Sequence, residues 1–177
     1  MKKLQSLLIE LHACDEAIEF SQDLSIEEAV QQCERGDWLL WLAKDLELPL
    51  KPITLAKARC AKLVVHLMED ERSVKAVEVA EKFALGEATR EELDTAAADA
   101  YAAYDADDAD AADDAAYTPS YAAAAANADA YAAASDDAAY AAAKNKNRKE
   151  AADICIDILG KMIIENFENQ NQLWKQK

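Results

Sequence analysis

The sequence predicts an all-α protein, a single-domain bundle of about seven to eight helices over residues 1–177, and three observations carry that prediction. Apolar residues recur at spacings of three and four along most of the chain. No stretch alternates with a period of two, and the breaks between stripes hold helix punctuation: Ser-x-x-Glu, Thr-x-x-Glu, isolated Gly and Pro. A chain of 177 residues buries roughly 70% of the surface its unfolded form exposes, so its core requires neither disulfide nor structural metal.

Leu4, Leu7, Leu8, Leu11, Cys14 and Ile18 form one apolar stripe, which predicts a first helix ending near Phe20. Ser25-Ile26-Glu27-Glu28 has the form of a capping box and starts a second helix, expected to stop at Gly36 in a left-handed conformation. Asp37 is then placed to cap a short helix holding Trp38, Leu39, Trp41, Leu42 and Leu46, closed by Pro49 and Pro52. From Ile53, the residues Ala56, Cys60, Leu63, Val64 and Leu67 predict a fourth helix, with 69–72 as its charged exit. Val74, Val77, Ala80, Phe83 and Ala84 predict a fifth, stopped at Gly86, after which Thr89-Arg90-Glu91-Glu92 repeats the capping-box form. The sixth helix runs towards Tyr117. Thr118-Pro119 then supplies an N-cap and a first-turn proline for a seventh, so 89–143 reads as an Ala/Tyr/Asp-rich helical hairpin. Asn145 and Asn147 fray its end, and the last helix stacks Ile154, Cys155, Ile158, Leu159, Met162 and Ile163 on one face.

The chain has 35 acidic against 19 basic residues, a net charge of −16. Nucleic acid and anionic membrane are repelled by such a surface, and neither is expected as a partner. The charge is unevenly placed. Residues 1–86, a subregion of short helices, carry 16 acids and 11 bases; 87–143 carry 14 and 1; 144–177, the C-terminal helix, carry 5 and 7. The middle segment is about half Ala and holds all six tyrosines. The longest apolar runs are about six residues, as in 38–43 and 121–126, far short of the ~20 that span a bilayer. Gln5, Ser6 and Glu10 interrupt the stretch a secretory signal needs, so a cytoplasmic location is expected.

Candidate chemistry is sparse. Cys14, Cys33, Cys60 and Cys155 include no Cys-x-x-Cys, and the imidazoles are His12 and His66. Buried free thiols are the expectation, with no metal site and no cofactor. A thiol nucleophile would pair Cys14 with His12 or Cys60 with His66, neither at an expected helix start. Asp105-x-Asp107-Asp108-x-Asp110 spaces oxygens as a calcium loop does, but it lacks the turn glycine and has Ala116 where a bidentate Glu belongs. Paired carboxylates for hydrolysis want an apolar pocket that the Ala-rich segment does not offer, so no catalytic residue and no enzyme activity are expected. Trp38 and Trp41 project from one side of their helix and are expected to pack beneath the first and fourth helices, a groove-lining role for one being the other reading.

The run from Cys33 to Leu42, containing Gly36-Asp37-Trp38-Leu39-Leu40-Trp41-Leu42, resembles an alanine-rich family of immunity proteins of bacterial toxin systems. Similar members occur in phage and mobile-element sequences. The stretch 61–67 with Asp70 and Arg72, the segments 76–81 and 86–89, the Ala/Tyr tract and Ala152-Asp153-Ile154-Cys155 extend the resemblance over most of the chain. It implies an all-helical fold and neutralisation of a toxin. The expected function is therefore that of a non-enzymatic binding protein occluding a cognate, basic toxin domain. Its contact surface is expected at Asp105, Asp107, Asp108, Asp110, Asp113 and Asp114 with Tyr104 and Tyr117. The alternative is a self-associating structural or scaffold protein of phage or mobile-element origin, a homo-oligomer through its Ala-rich faces.

Overall fold

A computed structural model describes residues 4–68, 70–104 and 147–174, and among these every regular element is helical. The helices are α1 (Leu4–Glu10), α2 (Asp15–Phe20), α3 (Ile26–Gln32), α4 (Gly36–Asp45), α5 (Leu50–Lys62), α6 (Glu71–Leu85), α7 (Arg90–Tyr104) and α8 (147–174). A 3₁₀ turn, Val65–Leu67, follows α5, and α8 contains one π-helical turn, Ile156–Gly160. The predicted all-α bundle is the observed architecture. The predicted seventh helix, from Thr118, lies outside the described residues, as does the hairpin of 89–143 beyond α7.

The first predicted helix is two. α1 ends in a turn where His12 adopts φ 59°, Ala13 N–H donates to Leu8 O at 2.9 Å and His12 N–H to Ile9 O at 3.1 Å. That is the Schellman arrangement, made without glycine. Asp15 and Glu16 then occupy the first turn of α2, where the helix dipole favours acids. Cys14 is the residue before α2, so it does stand at a helix start.

Gly36 is likewise not the left-handed stop of α3 but the first residue of α4. A Cβ at Gly36 would sit 2.9 Å from the backbone carbon and oxygen of Ala151, so the missing side chain lets α4 begin against α8. Asp37 makes no cap. Its carboxylate takes both Nε and Nη2 of Arg35, at 2.9 and 2.6 Å. Pro52 does not close α4 either: α5 starts at Leu50, and Pro52 falls in its first turn, where backbone N–H groups have no helical partner to lose.

The capping box at Ser25 and the stop at Gly86 are as predicted. Glu28 N–H donates to Ser25 Oγ at 3.1 Å and Ser25 N–H to Glu28 Oε2 at 2.9 Å. Gly86, at φ 83°, ends α6 with Glu87 N–H on Lys82 O at 2.8 Å. Of the predicted charged exit, 70–72 belong to the next helix instead, because Asp70 caps α6 by accepting from Arg72 N–H at 2.8 Å, and Glu69 lies outside the described residues. Asn147 stands inside the helical start of α8.

The main core joins α1, α3, α4, α5 and α8 through Leu4, Leu8, Val30, Leu39, Leu42, Ile53, Leu159 and Ile163. Cys155, Leu159, Ile163 and Phe167 are buried along α8 at spacings of four. Such a row drifts by 40° per step round an ideal α-helix, and the wider π turn offsets part of that drift. Ile158 and Met162 flank it, half-buried. α6 packs between α5 and α7 through smaller contacts: Ala58, Ala80, Phe83 and Leu93, then Ala76, Ala96 and Ala100. No described helix is long and apolar enough to cross a membrane.

Candidate functional site

Asp105, Asp107, Asp108, Asp110, Asp113, Asp114 and Tyr117 lie outside the described residues, and Tyr104 is the last residue of α7. The structure therefore describes the beginning of the acidic segment. Thr89 and Glu92 form the predicted capping box, with Thr89 N–H on Glu92 Oε2 at 2.7 Å and Glu92 N–H on Thr89 Oγ1 at 3.2 Å. The Thr89 N–H, and the Thr89 hydroxyl donating to the same Glu92 Oε2 at 3.0 Å, hold the Glu92 carboxyl below the usual carboxylate range. Leu93, Ala96, Ala97 and Ala100 face inward. Glu91, Glu92, Asp94 and Asp99 face outward, with Arg90 Nε on Asp94 at 2.7 Å. α7 is thus an amphipathic helix whose solvent side carries the acids and whose buried side is Ala and Leu.

Along the seam of α6 and α7 runs an open cleft of about 520 Å³ lined by Lys75, Lys82, Glu87, Thr89, Glu91, Glu92 and Thr95. Its two lysines face three glutamates, so its electrostatics are mixed. Val79, Ala88 and Ala96 line it too, so the cleft combines polar and apolar surface.

A second, small cavity of about 50 Å³ is apolar and involves the two tryptophans. Trp38 and Trp41 line it together with Leu4, Leu8, Phe20, Val30 and Cys33, residues of α1 to α3 and the turn after α3. The pair packs towards α1, as expected, while the walls of this cavity include no residue of α5. Phe20 meets Trp38 at 5.8 Å between ring centroids, and the Arg35 guanidinium lies 4.6 Å over the Trp38 ring. Burial pushes the Asp37 carboxyl up, but the Arg35 hydrogen bonds and charge outweigh it and leave Asp37 below its ordinary value. Glu16 adds a third member, 3.5 Å from Arg35. This rim is an Arg-Trp-carboxylate cluster that fixes the start of α4.

The cysteines sort by environment. Cys14 is exposed; Cys33 is buried with its thiol donating to Arg35 O at 3.3 Å, and burial pushes that thiol up. His12 and His66 are exposed. Cys60 instead reaches across to α8, with Sγ 3.6 Å from Ala151 O and 3.8 Å from Cys155 Sγ. A hydrogen bond from the Cys155 thiol favours Cys60 as the sulfur that ionises first; that same bond, with burial, holds Cys155 protonated. This juxtaposition across 95 residues was missed in the sequence, whose one signal was that both cysteines sit on apolar stripes. No group of three or more His, Cys, Asp or Glu assembles as a metal site among the described residues. Compared with known proteins, the chain matches no family model, no curated protein and no solved structure.

Proposed function

We propose that the chain is a non-enzymatic protein-binding module that occludes a basic partner, in the manner of an immunity protein neutralising a toxin domain. One observation carries the reading: the acids of α7 stand on its exposed side, at the start of a segment with 14 acids and 1 base. A one-sign surface accelerates encounter with an oppositely charged partner and repels others. Tyr104 and Tyr117, beside the six aspartates from Asp105 to Asp114, supply aromatic anchors that lose little conformational freedom on binding. The resemblance of the Gly36–Leu42 run to toxin-immunity proteins supplies the kind of partner.

The test is co-expression with the product of the neighbouring reading frame. The expected result is that this product arrests growth alone and is silenced by the present chain, through a complex whose association rate falls steeply with salt. Changing Asp107, Asp108, Asp110 and Asp113 to Asn is expected to slow association about tenfold at low salt and to flatten the salt dependence. Unchanged association in that variant would sink the acidic-face assignment. A neighbour that is harmless, together with a tight homo-oligomer in light scattering, would replace the reading with a self-associating scaffold.

A further inference from the structure

We propose that Cys60 and Cys155 are an oxidation-sensitive thiol pair that closes to an intramolecular disulfide between α5 and α8. The two sulfurs are 3.8 Å apart, and Cys60 is half-buried at the edge of the core while Cys155 is 0% exposed. A disulfide brings sulfurs to about 2.05 Å, so they must close by roughly 1.7 Å, which side-chain rotation supplies. The difference in exposure sets the order of events: a small oxidant reaches Cys60, and Cys155 waits behind it. Cys155 is also the residue directly before the π turn Ile156–Gly160. A π turn is a helix carrying one residue more than α-geometry needs, so Cys155 can turn towards α5 without breaking the helix.

The oxidant is hydrogen peroxide. The Cys60 thiolate attacks the O–O bond, giving Cys60 sulfenic acid and a hydroxide that leaves as water once protonated. The Cys155 sulfur then attacks the Cys60 sulfur; the S–O bond breaks, and the departing hydroxide takes the Cys155 proton and leaves as a second water. Two thiols lose two electrons and two protons, and one peroxide becomes two waters. A dithiol reverses the step by exchange. The closed loop contains α6, α7 and all of 87–143, so oxidation encloses the acidic segment in a covalent loop between α5 and α8. This inference stands whether or not the acidic segment binds a toxin.

The experiment uses the full chain, treated with hydrogen peroxide, quenched with iodoacetamide and digested without reductant. The expected result is a cross-linked pair of peptides holding Cys60 and Cys155, about 2 Da lighter than the two thiol peptides. Tm should rise by about 5–10 °C, and dithiothreitol should reverse both changes. Removing the exposed thiol by C14S should leave the link intact. In C155S the link and the rise in Tm should vanish while Cys60 goes on to sulfenic or higher acids. The peptide map of the unmodified sequence decides the matter even where C155S folds poorly. Alkylation of both cysteines after peroxide, over-oxidation of Cys60 without a link, or a link to Cys14 would each overturn the proposal.

Discussion

Around α8 the buried positions are filled by Leu159, Ile163 and Phe167 with Leu39, Leu42 and Val30 facing them, whereas between α6 and α7 most are filled by alanine, Ala76, Ala80, Ala96 and Ala100, with Phe83 and Leu93 as the large side chains. Large side chains remove area from water and fill volume. Alanine removes little area, and its advantage is that it lets two backbones approach closely. The Ala-packed pair must then draw more of its stability from the helices themselves, and its ends are made accordingly. Asp70 starts α6 and Thr89 starts α7 with side-chain caps, and a left-handed glycine, Gly86, ends α6. In the volume-packed part α2, α4 and α5 begin without any side-chain cap bond, and α3 begins with a capping box.

The largest effect should come from emptying the volume-packed part. Leu159→Ala removes a side chain that is 0% exposed and is expected to cost about 3–5 kcal/mol in urea unfolding. A loss below about 1 kcal/mol would mean that the main core collapses onto the vacancy and that the contrast between the regions is false.

The opposite substitution probes the other region. Ala80 is 0% exposed between α5, α6 and α7, and Ala80→Leu should cost about 1–3 kcal/mol because the helices must separate. Ala98→Leu, on the exposed side of the same pair, should change stability by less than about 0.5 kcal/mol. Equal effects at the two positions would show that α6 and α7 are not closely packed through alanine.

The contrast also explains which parts of the fold could be read in the sequence. Capping boxes at Ser25 and Thr89 and the stop at Gly86 were legible because side-chain chemistry and glycine mark them locally. The end of α1 was not, since His12 takes the left-handed role at φ 59°, and Glu47 does the same after α4 at φ 56°. Leu48 N–H then donates to Ala43 O at 3.0 Å, the bond a glycine would normally announce. Gly36 misled for the converse reason: its lack of a Cβ serves the approach of Ala151, 115 residues away, which no local pattern contains. The Cys60–Cys155 pair was hidden likewise, because helical stripes show which face is buried and not what faces it. Of the candidate surface the sequence showed where the charge lies, and α7 adds that its first acids point outward.

The smallest effect lies at the joint between the two regions, where Glu81 of α6 receives Lys62 and Arg59 of α5, the latter at 3.6 Å. The Lys62 hydrogen bond, opposed by slight burial and helped by both positive charges, holds the Glu81 carboxyl below its ordinary value of 4.5. A carboxyl with a lowered folded-state pKa adds stability that is fully present above 4.5 and lost as pH falls through the folded value. Glu81→Gln should therefore lower stability at pH 7 by a few tenths of a kcal/mol, about what a partly exposed ion pair contributes. The difference from the unmodified protein should shrink as unfolding is repeated at falling pH below 4.5, and also at high salt. A difference that held constant with pH would assign Glu81 to packing. The Ala-lined joint would then need no charge to hold it, and close approach alone would account for the α5–α6 contact.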